Sequence, residues 1–127
     1  MSGRQPVQRI PSGLGYPFST AVRSGDTWEL SGQVGLDTNG DLVPGGVAPE
    51  TQQCLENIRG VLAEVGCSMS DLVKVSVFLT DIADFAPMNQ VYATFFDPQE
   101  YPARSTVAVA GLALGAHVEI ECSAQAR

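Results

Sequence analysis

The sequence predicts an α+β domain: a mixed sheet of five to six strands with two helices on one face. Three observations carry that expectation. Two segments repeat apolar residues at steps of three and four, as amphipathic helices do. Several others alternate their apolar residues or run β-branched residues together, as strands do. The segments follow one another in the order β-β-(β)-α-β-α-β-β, which one sheet with helices on one side accommodates. A chain of 127 residues makes a single domain, 1–127, large enough for a core but not for two.

Residues 1–15 are rich in Gly, Pro and Ser and show little periodicity, so they read as an N-terminal arm, extended only where something packs on it. A first strand over 18–22 and a second over 27–34 flank the turn Ser24-Gly25-Asp26. Gly32, inside the second strand, marks a bulge or a close backbone approach, and the sequence favours the bulge. Asp37-Thr38-Asn39-Gly40-Asp41 has oxygens at alternate positions, but Leu42 stands where a calcium loop needs glycine and the late glutamate is missing. Asn39-Gly40 is a tight turn instead. Over 49–65, Cys54, Leu55, Ile58, Val61, Leu62 and Val65 share a helix face, with Pro49 and Glu50 suited to its first turn and Gly66 to its end. The strand 72–79 turns Val73, Val75, Val77 and Leu79 one way and Leu72, Lys74, Ser76 and Phe78 the other. Met88, Val91, Tyr92 and Phe95 define the second helix, which ends near Asp97 and Pro98. Two last strands follow, over 101–109 and from 116 onward, joined by a short glycine-bearing link.

Composition narrows the function. Seven basic against fourteen acidic residues give a net charge of −7, and Lys74 is the only lysine. Nucleic acid and anionic membrane surfaces both need clustered cations, so neither is an expected partner. No apolar run approaches the roughly 20 residues of a membrane span, no signal-peptide pattern opens the chain, and the expected address is cytoplasmic. Cys54, Cys67 and Cys122 are an odd number without CxxC spacing, which points away from a disulfide framework or a metal site.

The last two strands carry charge that a purely structural strand does not need. Arg104 and Thr106 share one strand face; Glu119 and Glu121 share a face of the next, opposite Val118 and Ile120. If the strands neighbour each other, or meet across a subunit boundary, cation and carboxylate can line one concave spot. The arginine fork would hold a substrate carboxylate and the glutamate would orient a water. A cross-strand ion pair on a solvated face explains the same spacing. The sheet face away from the helices is expected to mix Phe78 and Val107 with Arg104, Glu119 and Glu121, which marks it as a subunit interface. His117, the single histidine, reads as a solvated or edge residue.

Pro102-Ala103-Arg104-Ser105-Thr106-Val107, the glycine link and Val118-Glu119-Ile120-Glu121 resemble the signature of the RidA/YjgF/UK114 family of imine and enamine deaminases. The resemblance extends to Leu30-Ser31-Gly32-Gln33-Val34, Asn57, the run from Val73 to Leu79, and that from Met88 to Phe96. It implies a chorismate-mutase-like fold, a homotrimer with sites in the clefts between protomers, and hydrolysis of 2-imino acids or enamines to 2-keto acids and ammonia without metal or organic cofactor. It also assigns roles. Arg104 holds the substrate carboxylate, Glu119 positions the water, and Phe18, Ser31, Gly32, Asn89 and Thr106 contact the substrate. Two departures stand out. Phe18 follows Pro17 where many members have tyrosine, with Tyr16 on the other side of the proline, and Thr106 replaces a frequent cysteine. A pathway-specific deaminase of a larger enamine, aminomuconate- or aminoacrylate-like, and a non-catalytic carboxylate-binding or regulatory trimer are the rival readings. Ribonuclease activity, attributed to some relatives, sits poorly with the net charge of −7.

Overall fold

The computed structural model describes residues 6–127, so the first five residues of the expected arm lie outside it. The elements are β1 (Gln8–Pro11), β2 (Ser19–Ser24), β3 (Thr27–Gln33), α1 (Val47–Glu64), β4 (Leu72–Leu79), α2 (Phe85–Ala93), β5 (Ala103–Ala108) and β6 (Val118–Gln125). They build one six-stranded sheet in the order β1-β2-β3-β6-β4-β5, antiparallel except for the parallel pair β4–β5 that α2 connects. Within the stretch expected to be an arm, residues 8–11 pair with β2 as an edge strand, and Ile10 packs on the core.

Both helices cover one sheet face, because only that face offers a continuous apolar surface. Leu55, Ile58 and Leu62 of α1 and Met88 of α2 are completely buried, against Val77, Leu79, Val118 and Ile120 from β4 and β6. Each such side chain contributes about 1.5–3 kcal/mol of transfer free energy. At the end of α1, Gly66 takes a left-handed φ of 78°. The chain then turns so that the Cys67 N–H reaches the Leu62 carbonyl at 2.8 Å, a helix stop that glycine allows without strain.

Three expectations change. The strand 72–79 does not alternate throughout. The β4–β6 register shifts between Leu72 and Lys74, so Leu72 turns inward at 6% exposure while Val73 is 55% exposed. A bulge inserts one residue and reverses the alternation on one side of it. Second, β5 and β6, consecutive in sequence, are not neighbours: β4 lies between them and pairs with both. Third, Arg104 is not on the open face. It pairs with Val75, whose side chain is in the core, whereas Glu119 pairs with Phe78 on the opposite face. The parallel β4–β5 register decides this, and register is a tertiary property.

Candidate active site

Glu119 owes its position to its neighbours. Val118 and Ile120 are fully buried beneath the helices, so strand alternation sends Glu119 to the open face. Alongside, the β3–β6 register shifts between Leu30 and Gln33, and Ser31 and Gly32 occupy that irregularity. Gly32 is where the two strands crowd. A Cβ there would lie 2.8 Å from the Glu119 Cδ, closer than side-chain carbons sit. Bulge and close approach therefore occur together, and the missing side chain makes room for the carboxylate.

Ser31, Gly32 and Glu119 line a cavity of about 590 Å³ whose other wall includes Tyr16, Phe18 and Leu114. The Ser31 hydroxyl donates to the Ser19 carbonyl, which ties the floor to β2. The Tyr16 and Phe18 rings are stacked, 6.2 Å apart and 7° from parallel. Burial, with a smaller contribution from the Glu121 charge, holds the Glu119 carboxyl above the ordinary glutamate range.

On the helix side of the sheet, the Arg104 guanidinium lies 4.6 Å from the centre of the Tyr92 ring and 5.7 Å from that of Phe85. Both rings come from α2, and two aromatic faces flanking a planar cation fix its direction while leaving its N–H edges available. Arg104, Asn89, Tyr92, Tyr101 and Pro102 line a second space of about 380 Å³. The Asn89 Oδ1, the Tyr92 hydroxyl and the Thr106 Oγ1 are buried without a hydrogen-bond partner among the described residues. Buried polar atoms are normally paired, so the Asn89 and Tyr92 orphans in the space that Arg104 lines, with Thr106 two residues further along the same strand face, leave unfilled bonding capacity for a polar ligand. Burial pushes the Tyr92 phenol up to about 12, against a lowering by Arg104, so it remains a neutral donor.

The site residues expected from the sequence thus fall into two sets. Phe18, Ser31, Gly32 and Glu119 meet at one cavity; Arg104 and Asn89 meet at the other, with Thr106 on the Arg104 face of β5. Within one chain the sets lie on opposite faces of the sheet with β4 between their strands.

A model of the family described as Endoribonuclease L-PSP matches residues 12–126. The chain belongs to this family, the RidA/YjgF family of the sequence resemblance. A mouse relative named 2-iminobutanoate/2-iminopropanoate deaminase is 44% identical over 117 residues, which span 91% of this chain and 85% of the relative. Yeast Mmf1 superposes with a TM-score of 0.89 at 32% identity, covering 96% of this chain and all of that one. RidA from an Antarctic Psychrobacter gives 0.84 at 38% identity, covering 96% and 99%.

In this RidA/YjgF chain several contributors to the two spaces escaped sequence reasoning. Tyr92, three residues after Asn89, fitted the apolar helical stripe and read as core, which its 4% exposure satisfies. Phe85 and Leu114 carried no signal. His117 is not merely solvated: its ring Nδ1 lies 2.5 Å from the Glu50 Oε2, and its backbone N–H donates to the Glu50 Oε1 at 2.7 Å. Glu50 is 1% exposed, and the pair fastens the first turn of α1 to the start of β6. Among the described residues no group of three His, Cys, Asp or Glu side chains is placed to hold a metal ion, and no helix is long and apolar enough to cross a membrane.

Proposed function

We propose that this chain is a cytoplasmic, homotrimeric hydrolase that converts reactive 2-imino acids, or the enamines in equilibrium with them, to 2-keto acids and ammonia. Each site combines the Arg104 half of one protomer with the Glu119 half of the next. The observation that carries this reading is the division itself. One chain bears two incomplete pockets, one with a cation and orphaned polar groups, the other with a half-buried carboxylate. Relatives at 41–44% identity named 2-iminobutanoate/2-iminopropanoate deaminase supply the reaction class.

The chemistry follows from the residues. The Arg104 fork takes the substrate carboxylate in two parallel hydrogen bonds. The Thr106 hydroxyl donates to the same carboxylate, and the Asn89 Oδ1 accepts from the imine N–H. Glu119 accepts a hydrogen bond from a water and directs its lone pair at the imine carbon. The C–O bond forms as the C=N π pair moves to nitrogen, and the water's proton passes to that nitrogen. The adduct's hydroxyl proton then passes to the amino nitrogen, the C–N bond breaks to release ammonia, and the remaining C–O becomes the ketone's C=O. The substrate is already electrophilic, so positioning and proton transfer suffice. Phe18 offers a ring without a hydroxyl, so hydrogen bonds to the substrate fall to other groups, among them Thr106, Asn89, Tyr92 and Ser31.

An amino-acid oxidase generates the imine in place, and the protein is expected to speed its disappearance with matching release of ammonia. No acceleration with any 2-imino acid would overturn the proposal. Calorimetric binding of a 2-keto acid without turnover would point to a carboxylate-binding trimer instead.

A further inference from the structure

Hydrolysis of an imine needs a carboxylate clamp and a positioned water, and most of the Glu119 cavity wall serves neither. Nine large hydrophobic side chains are exposed among the described residues. Four of them, Leu14, Tyr16, Phe18 and Leu114, line this single cavity. Scattered exposed apolar residues are ordinary, but a cluster around one carboxylate is a surface shaped for an apolar group.

Leu114 adds an independent sign. Its backbone has φ 62° and ψ 19°, and among the described residues it is the only non-glycine with positive φ. A leucine held in the left-handed region is strained, and such strain collects at ligand contacts. The side chain is 61% exposed, so burial in its own core does not explain its retention there.

We propose that this wall receives the substrate side chain, so that the site takes 2-imino acids bearing a large apolar group, branched aliphatic or aromatic, ahead of those with one or two side-chain carbons. The inference rests on the imine-hydrolase reading above. With the carboxylate held by Arg104 of a neighbouring copy and the imine carbon above Glu119, the substituent extends toward Leu114 and the stacked Tyr16 and Phe18 rings. The wall is apolar over Leu14, Tyr16, Phe18 and Leu114, so an isobutyl or benzyl group gains contacts there that a methyl group is too small to make. A second carboxylate on the substrate would find Glu119 and no cation among the residues lining this cavity, so imines of acidic amino acids are rejected.

The test compares kcat/KM for imines made in place from L-leucine, L-phenylalanine, L-alanine and L-glutamate. Leucine- and phenylalanine-derived imines are expected to exceed the alanine-derived one by about 10- to 50-fold, from about fourfold per buried methylene. The glutamate-derived imine is expected to be the slowest. Leu114→Asn suits the left-handed backbone and removes the apolar branch, and should lower the leucine-to-alanine ratio about 5- to 10-fold; Leu14→Ser should lower it in the same direction. A native ratio near one, or a ratio that neither variant moves, overturns the inference while the hydrolase reading stands. Failure to turn over any of the four imines removes both.

Discussion

The two faces of the sheet solve different problems with different materials. On the helix side, Arg104 is held between α2 rings, 4.6 Å from Tyr92 and 5.7 Å from Phe85, and its direction is fixed by packing. On the open side, Glu119 sits in a wide cavity whose wall joins exposed aromatic and aliphatic residues of two separate connections, 12–18 and 109–117, beside a glycine bulge. The cation is built into the core's edge, and the carboxylate lies in an open cleft. Neither face alone holds the residues that the proposed hydrolysis needs, so that proposal requires a functional unit larger than the chain.

The sharpest way to break this comparison is to disable one face at a time. Glu119→Gln is expected to lower kcat about 10²- to 10⁴-fold, and Arg104→Ala to lower kcat/KM about 100-fold or more, in the coupled imine assay. Unfolded together and refolded, the two inactive variants should regain about one quarter of native activity, because random assembly places an intact Arg104 opposite an intact Glu119 at about one junction in four. No recovery, with both variants folded and oligomeric, would mean that the halves do not combine between copies.

A pH profile isolates the open face. The proposed reaction needs Glu119 ionised to hold the water, and burial raises its pKa. Activity should therefore fall as pH drops through a point above the ordinary glutamate range, and rise to a plateau above it. A limb at or below the free-glutamate value would show that another group sets it. Gly32→Ala tests the crowding of the same spot. The added methyl meets the Glu119 carboxylate, so carboxylate or strand must shift, at a cost of about 1–3 kcal/mol in urea unfolding and about tenfold in kcat. Arg104→Lys probes the other face. It keeps the charge, loses the fork and the stacking on Tyr92, and should raise KM about tenfold. The smallest effect belongs to a contact outside both halves. His117→Ala leaves one oxygen of the buried Glu50 unpaired and should cost about 1–3 kcal/mol at fixed protomer concentration, with kcat/KM unchanged.

Much of the open face was legible in the sequence. Val118, Glu119, Ile120 and Glu121 alternate as written, and Gly32 inside an apolar strand announced the irregularity where Glu119 lies. The helix face was less legible. Arg104 was assigned to the wrong side because its orientation depends on the parallel β4–β5 register, and Tyr92 was indistinguishable from an ordinary core tyrosine. Leu114 gave no sign at all, since leucine carries no intrinsic preference for positive φ.

What the amino-acid sequence settled by itself was local and periodic. The α+β class, both helices, most strands and the polar residues at risk of being functional all follow from steric preferences and burial patterns that act over a few residues. Tertiary structure decided what depends on distant pairing. It inserted β4 between β5 and β6, reversed Leu72 and Val73 at a bulge, joined Glu50 to His117 across 67 positions, and set Arg104 and Glu119 on opposite faces of the sheet. The physical reason is that side-chain alternation reports that a strand has two sides, while only the register of its neighbours decides which side meets which.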